Sequence, residues 1–158
     1  MPELDRSGRG VTILMADDDQ DDREMALDAL QDLRLASKME FVVDGQDLLD
    51  YLRREGGYID PSTQAPLPGI ILLDLNMPRM DGREALAEIK ADESLRQIPV
   101  VVLTTSSDEE DVRDTYALGA NSFITKPVTL TGLIDVMHTL ARYWFGIVEL
   151  PTGAVGSS

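Results

Sequence analysis

Ile70-Ile71-Leu72-Leu73-Asp74-Leu75-Asn76-Met77-Pro78 is the stretch that decides how this chain is read. Four consecutive apolar residues end in a carboxylate, and Pro78 and Gly82 follow close behind. A short apolar run closed by turn residues reads as a strand buried on both faces. Asp74 then stands where that strand leaves the core. This is a poor place for a structural acid and a good place for a reacting one. Asp74 is therefore the expected centre of the chemistry.

Working outward, the same pattern recurs on both sides. Residues 11–15 form a first apolar run, followed by Asp17-Asp18-Asp19-Gln20-Asp21-Asp22, five acids in six positions. From about 21 to 36 the spacing turns helical, with Ala26, Ala29, Leu30 and Leu33 on one face. Acids at the start of that helix suit its positive dipole end, so Asp19, Asp21 and Asp22 read as solvated residues. Residues 40–43 are a second strand, Asp44-Gly45 a turn, and 46–55 a helix with Leu48, Leu49 and Leu52 inward. Residues 56–69 hold three prolines and three glycines and read as a surface loop.

Beyond the third strand, 83–92 is a helix with Ala85, Leu86 and Ile89 inward. Residues 98–103 are a fourth strand, with Pro99 at its entrance, where proline is tolerated. A helix over 108–118 closes on Gly119, a fifth strand covers 122–124, and Thr125-Lys126-Pro127 follows it. The last helix begins near Thr129, with Leu130, Leu133, Ile134, Met137, Leu140, Ala141 and Trp144 on one face. Residues 1–10 are expected to be a disordered leader, 11–150 one domain, and 151–158 a disordered tail. Strand and helix alternate five times. That implies a mostly parallel, doubly wound α/β sheet covered on both faces. Ligands of such sheets sit beyond the C-terminal strand ends, where strand order reverses.

Charge and composition narrow the chemistry. There are 29 acidic and 14 basic residues, a formal net charge of −15. That argues against nucleic acid and anionic membrane as partners and is compatible with divalent metal or a basic protein. Cysteine is absent, so disulfides, thiolate nucleophiles and thiolate-bound zinc are excluded. One histidine, His138, is too few for an all-histidine metal site and reads as an ordinary helix residue. No apolar run approaches the ~18 residues of a membrane span, and a cytoplasmic location is expected.

The polar residues gather at the C-terminal strand ends: Asp17 and Asp18, Asp74, Thr104 and Thr105, and Lys126. Any one of them alone would pass for a cap or a turn residue. Together they bring three carboxylates, a hydroxyl and an ammonium to one edge. Clustered carboxylates need a cation, and hard oxygen ligands favour Mg²⁺ or Mn²⁺. A carboxylate beside such a metal can act as a nucleophile on phosphorus. Lys126 supplies a compact positive charge, and Thr104 a hydroxyl that can turn toward a new anion.

These residues resemble the receiver domain of two-component response regulators, over roughly residues 11–144. The resemblance rests on Asp17-Asp18, on Leu72-Leu73-Asp74-Leu75-Asn76-Met77-Pro78 with Asp81-Gly82, on Thr104, and on Lys126-Pro127. Thirty residues separate Asp74 from Thr104, and twenty-two more lead to Lys126. The resemblance implies a flavodoxin-like sheet of order 2-1-3-4-5 with five helices. It implies Asp74 as the phosphoacceptor and Asp18 as the main metal carboxylate. Asp17 would act through metal-bound water, and the Asn76 backbone carbonyl would be a further ligand. Lys126 would pair with Asp74 and then with the phosphoryl group, across a cis Lys126–Pro127 bond. Thr104 and Phe123 would form the switch, with Phe123 in place of the commoner tyrosine.

The ending Tyr143-Trp144-Phe145-Gly146-Ile147-Val148-Glu149-Leu150-Pro151 resembles stand-alone receivers that partner phytochrome-type histidine kinases, the bacteriophytochromes included. It implies a single-domain regulator, not an enzyme in the ordinary sense, that takes its phosphoryl group from such a kinase. It also implies a homodimer through the fourth helix, fifth strand and fifth helix, or through the C-terminal extension. Two other classes compete. A haloacid-dehalogenase-like phosphohydrolase would need a second aspartate where Asn76 stands. A docking module that is never phosphorylated would lack the acidic pair or the lysine, and both are present.

Overall fold

The computed structural model describes residues 12–32, 38–56, 67–106 and 108–146. Strands β1 (Thr12–Ala16), β2 (Lys38–Val42), β3 (Ile70–Leu73), β4 (Val100–Thr104) and β5 (Ser122–Thr125) alternate with five helices. These are α1 (Gln20–Asp32), α2 (Gly45–Arg53), α3 (Gly82–Ala91), α4 (Glu109–Leu118) and α5 (Leu130–Gly146). All neighbouring strands pair in parallel, in the order β2-β1-β3-β4-β5. The doubly wound sheet of order 2-1-3-4-5 is the expected one.

Strand residues alternate between two apolar layers, as the two-residue side-chain period requires. Leu14, Ala16, Ile71, Leu73, Val100 and Val102 face α2 and α3 through Leu48, Leu49, Leu52, Ala85, Leu86 and Ile89. Ile13, Met15, Ile70, Leu72, Val101 and Leu103 face the other way, onto Ala26 of α1 and Leu133, Met137 and Leu140 of α5. Every residue of β1, β3 and β4 is buried. That explains why these strands read as unbroken apolar runs. No helix among the described residues is long and apolar enough to cross a membrane.

Helix ends follow local side-chain chemistry. Asp81 caps α3 by accepting the Glu84 N–H at 3.1 Å, and Asp108 caps α4 by accepting that of Glu110 at 3.1 Å. Gly119 ends α4 in the left-handed region at φ 111°, the glycine stop expected there. Asp44 is more than a turn residue. It caps α2 through the Asp47 N–H at 2.8 Å, and Arg79 Nε donates to its carboxylate at 2.7 Å. Burial alone would raise the Asp44 pKa. The Arg79 and Asp47 hydrogen bonds outweigh it and hold the group below its usual range. The leader, the tail, most of the loop before β3, Leu33, and the chain end from Ile147 on lie outside the described residues, as do the side chains of Ala29, Leu30, Leu130, Ala141, Trp144 and Phe145.

Candidate functional site

The site begins with strand register. Ala16 pairs with Leu73, so the residues that follow them, Asp17 and Asp74, leave the sheet side by side. The Asp74 N–H donates to the Ala16 carbonyl at 3.0 Å, and the Asp17 N–H to that of Val42 at 3.1 Å. The ladder therefore runs one residue past the last paired apolar positions. On the far side, the Lys126 N–H donates to the Thr104 carbonyl at 2.7 Å, which fixes where the lysine departs from β5.

Three carboxylates surround the Lys126 ammonium. Its Nζ lies 2.7 Å from Asp17 Oδ2, 2.6 Å from Asp22 Oδ2 and 3.3 Å from Asp74 Oδ2. Asp17, Asp74 and Lys126 are all buried, whereas Asp18 is exposed. Burial pushes the Asp17 carboxyl up to about 6, against the opposing pull of the Lys126 hydrogen bond and charge. Burial also opposes charge on Lys126, but its hydrogen bonds to Asp17 and Asp22 prevail and hold its pKa above the ordinary lysine range.

Asp17, Asp18 and Asp74 each offer an oxygen, and these oxygens lie within 4.8 Å of one another. Such an all-carboxylate donor set, partly buried and electrostatically crowded, fits a hard divalent cation. The Asn76 side chain is exposed, and the Asn76 backbone N–H donates to Asp74 Oδ1 at 3.3 Å, orienting the acid.

The loop that carries Asp74 is held from two directions. Leu75 and Met77 are buried in the core. The Gly82 N–H donates to the Leu75 carbonyl and the Gly45 N–H to that of Met80, both at 2.8 Å. A Cβ on Gly82 would collide with the Asp74 carbonyl oxygen, so only glycine lets α3 start this close. Arg79 adopts φ 63° in the same loop, and its side chain returns to Asp44. Gly82 belongs to the Asp81-Gly82 motif, whereas the Arg79–Asp44 pairing has no marked pattern in the sequence.

Thr104 is fully buried at the end of β4, and Thr105 is exposed. Ser106 donates its Oγ–H to Asp111 at 2.5 Å, and Arg83 of α3 pairs with the same carboxylate at 2.8 Å. These bonds hold the Asp111 carboxyl below the usual range. They also tie the start of α4 to α3. Phe123 is half-buried against the core, and its N–H donates to the Tyr116 hydroxyl at 3.1 Å.

Two expectations are corrected. Asp22 is not a solvated helix residue, because its carboxylate is the nearest partner of Lys126. It lies four residues before the buried Ala26, so the helical period already placed it on the inward face. Asp19 and Asp21 do behave as a helix start, with Asp19 Oδ1 accepting the Asp21 N–H at 2.9 Å. The Lys126–Pro127 bond is trans, since no cis peptide occurs among the described residues. Trans is the ordinary preference of such a bond, by about 0.5–1 kcal/mol.

A parallel sheet of this order with an aspartate, an acidic pair and a lysine at its C-terminal edge defines a receiver-type phosphoacceptor fold. The chain belongs to the response regulator receiver family: the "Response regulator receiver domain" model matches residues 13–138. It is similar to the response regulator Rcp1 of Synechocystis sp., 37% identical over 147 residues, covering 93% of this chain and 97% of that protein.

Two solved structures are similar over most of the chain. One is the Mn²⁺-bound form of Rcp1, at TM-score 0.84 and 37% identity, covering 89% of this chain and 99% of that one. The other is the phosphorylated cyanobacterial phytochrome response regulator RcpA, at TM-score 0.84 and 39% identity, covering 90% and 99%. Receiver domains take phosphoryl groups from histidine kinases in two-component signalling. The phosphohydrolase alternative is therefore set aside.

Proposed function

We propose that Asp74 accepts a phosphoryl group from a phosphohistidine on a partner kinase and holds it as a signal. The observation that carries this reading is the convergence of Asp74 with the Lys126 ammonium at 3.3 Å and with the Asp17 and Asp18 carboxylates. An Asp74 oxygen attacks phosphorus, the P–N bond to imidazole breaks, and the imidazole leaves with its electron pair. Lys126 meets the phosphoryl oxygens with its charge.

Asp17, Asp18 and Asp74, with the Asn76 backbone carbonyl, would hold Mg²⁺ or Mn²⁺. Such an ion supplies positive charge against the phosphoryl oxygens. The Mn²⁺-bound form of Rcp1 supports that choice. Asn76 stands where a phosphohydrolase would carry an acid/base aspartate, which favours retention over turnover. The new charge draws Thr104 inward, Phe123 follows, and the surface of α4, β5 and α5 changes state. A residual self-dephosphorylation then resets the signal.

The likeness to RcpA supports a phytochrome-type histidine kinase as the partner. Incubation with acetyl phosphate and Mg²⁺ should add one phosphoryl group by intact-mass spectrometry, and Asp74→Asn should abolish the gain. An undiminished gain in that variant would remove Asp74 from its role. The α4–β5–α5 face is also proposed to pair two copies of the chain. Tyr116 and Tyr143 are exposed there, and an apolar cleft runs between Ile124, Val136 and Leu140. Light scattering at micromolar concentration should give twice the chain mass. A monomer with and without a phosphoryl mimic would rule this out.

A further inference from the structure

A lysine ammonium has three donors and no acceptor, and in this site carboxylates meet all three. Asp22 stands at 2.6 Å, Asp17 at 2.7 Å and Asp74 at 3.3 Å. Phosphorylation of Asp74 replaces its own 3.3 Å contact with a phosphoryl oxygen, and a second phosphoryl oxygen can reach the ammonium only if Asp17 or Asp22 releases it. Asp17 is a poor candidate. Its side chain is 1% exposed, so water cannot take the place of the ammonium there.

Asp22 is placed to let go. Its side chain is 15% exposed on the first turn of α1, where water can replace the ammonium. The position is also well anchored. Arg23 Nη1 donates to the Asp17 carbonyl at 2.7 Å, and the Arg23 N–H to that of Asp19 at 3.1 Å. The start of α1 is thus fixed against the end of β1. Building on the phosphoacceptor reading of Asp74, we propose that Asp22 is a positioning residue that retains Lys126 in the unphosphorylated chain. Its hold sets the threshold that the phosphoryl group must overcome to capture the lysine.

The test is titration of the full chain with beryllofluoride and Mg²⁺, a stand-in for the phosphoryl group, followed by fluorine NMR. Asp22→Asn keeps the side-chain size and loses the charge-assisted bond. It should bind roughly fivefold more tightly, the difference between a charged and a neutral hydrogen bond. Asp22→Glu should return toward wild type. Asp21→Asn removes the same charge from an exposed neighbour and should change little, because solvent and salt screen it.

A second readout follows the lysine itself. In the unphosphorylated chain, nitrogen NMR should show the Lys126 ammonium protons exchanging with water faster in Asp22→Asn. If Asp22→Asn does not fold, Asp22→Ser carries the same two expectations. Equal or weaker beryllofluoride binding, an equal gain in Asp21→Asn, or unchanged ammonium exchange would each overturn the inference alone. Failure of the wild-type chain to take up beryllofluoride would overturn the Asp74 reading, and this inference with it.

Discussion

Lys126→Met in metal-free buffer at neutral pH should lower the unfolding free energy by about 3 kcal/mol, the usual cost of removing one partner from a buried ionic cluster. The side chain is 5% exposed and is the one cation within 4.0 Å of the Asp17, Asp22 and Asp74 carboxylates among the described residues. Without it, two buried acids face each other uncompensated. The pH dependence has a definite sign. The Asp17 pKa is already raised from 3.8 to about 6, and Lys126 is among the influences that lower it. Its removal pushes Asp17 further up.

An acid with a raised folded pKa binds more protons folded than unfolded, so stability falls as pH rises from the unfolded to the folded value. The variant should therefore lose more stability at pH 8 than at pH 5 in a urea titration. Mg²⁺ should restore part of the loss, because a bound cation stabilises the state that binds it. It should also bind the variant more tightly than wild type, since ammonium and metal compete for the same oxygens. A loss below about 0.5 kcal/mol, with no pH slope, would mean that the cluster relaxes into solvent.

The fold was legible because its strands are buried on both faces. Runs such as Ile70-Ile71-Leu72-Leu73 leave no alternation to confuse with a surface strand, and turn residues bracket them. Strand ends shifted by one or two residues. β4, for instance, starts at Val100 rather than two residues earlier, because Pro99 offers no N–H to the ladder. The acids and the lysine at the strand ends could be named because topology alone delivers them to one edge.

What escaped the sequence were partners chosen by side-chain reach. Asp22 sits in a run of acids whose composition argues for a solvated helix start, and only its four-residue offset from Ala26 separates it from Asp21. Arg79 and Asp44 are thirty-five residues apart, and neither lies in a periodic pattern that would pair them. The close approach at Gly82 was visible as a motif residue. Its cause, a backbone carbonyl with no room beside it, is a three-dimensional fact.

That approach carries the second large effect. Gly82→Ala should destabilise the chain by about 2–3 kcal/mol, near the upper end for overpacking, because the obstacles are backbone atoms. A Cβ there meets the Asp74 carbonyl oxygen and comes within 2.8 Å of the Leu75 Cα. Neither can swing aside as a flexible side chain would. Alanine gains at most about 1 kcal/mol of helix preference at this position, too little to offset the collision.

Relief of the strain separates α3 from the end of β3. The Gly82 N–H to Leu75 carbonyl bond is then lost, and Asp74 moves with it. Phosphoryl uptake from acetyl phosphate should fall at least tenfold at a temperature where the variant is still folded, because misplacement by about 1 Å is enough for such a loss. Gly119→Ala is the matching control. It also forces a side chain onto a strained backbone, at φ 111°, and should cost about 1–2 kcal/mol. The atoms nearest its Cβ belong to the Lys90 side chain, away from the acidic cluster, so uptake should stay near wild type. If both variants lose uptake in proportion to their stability, the Gly82 contact governs folding rather than the placement of Asp74.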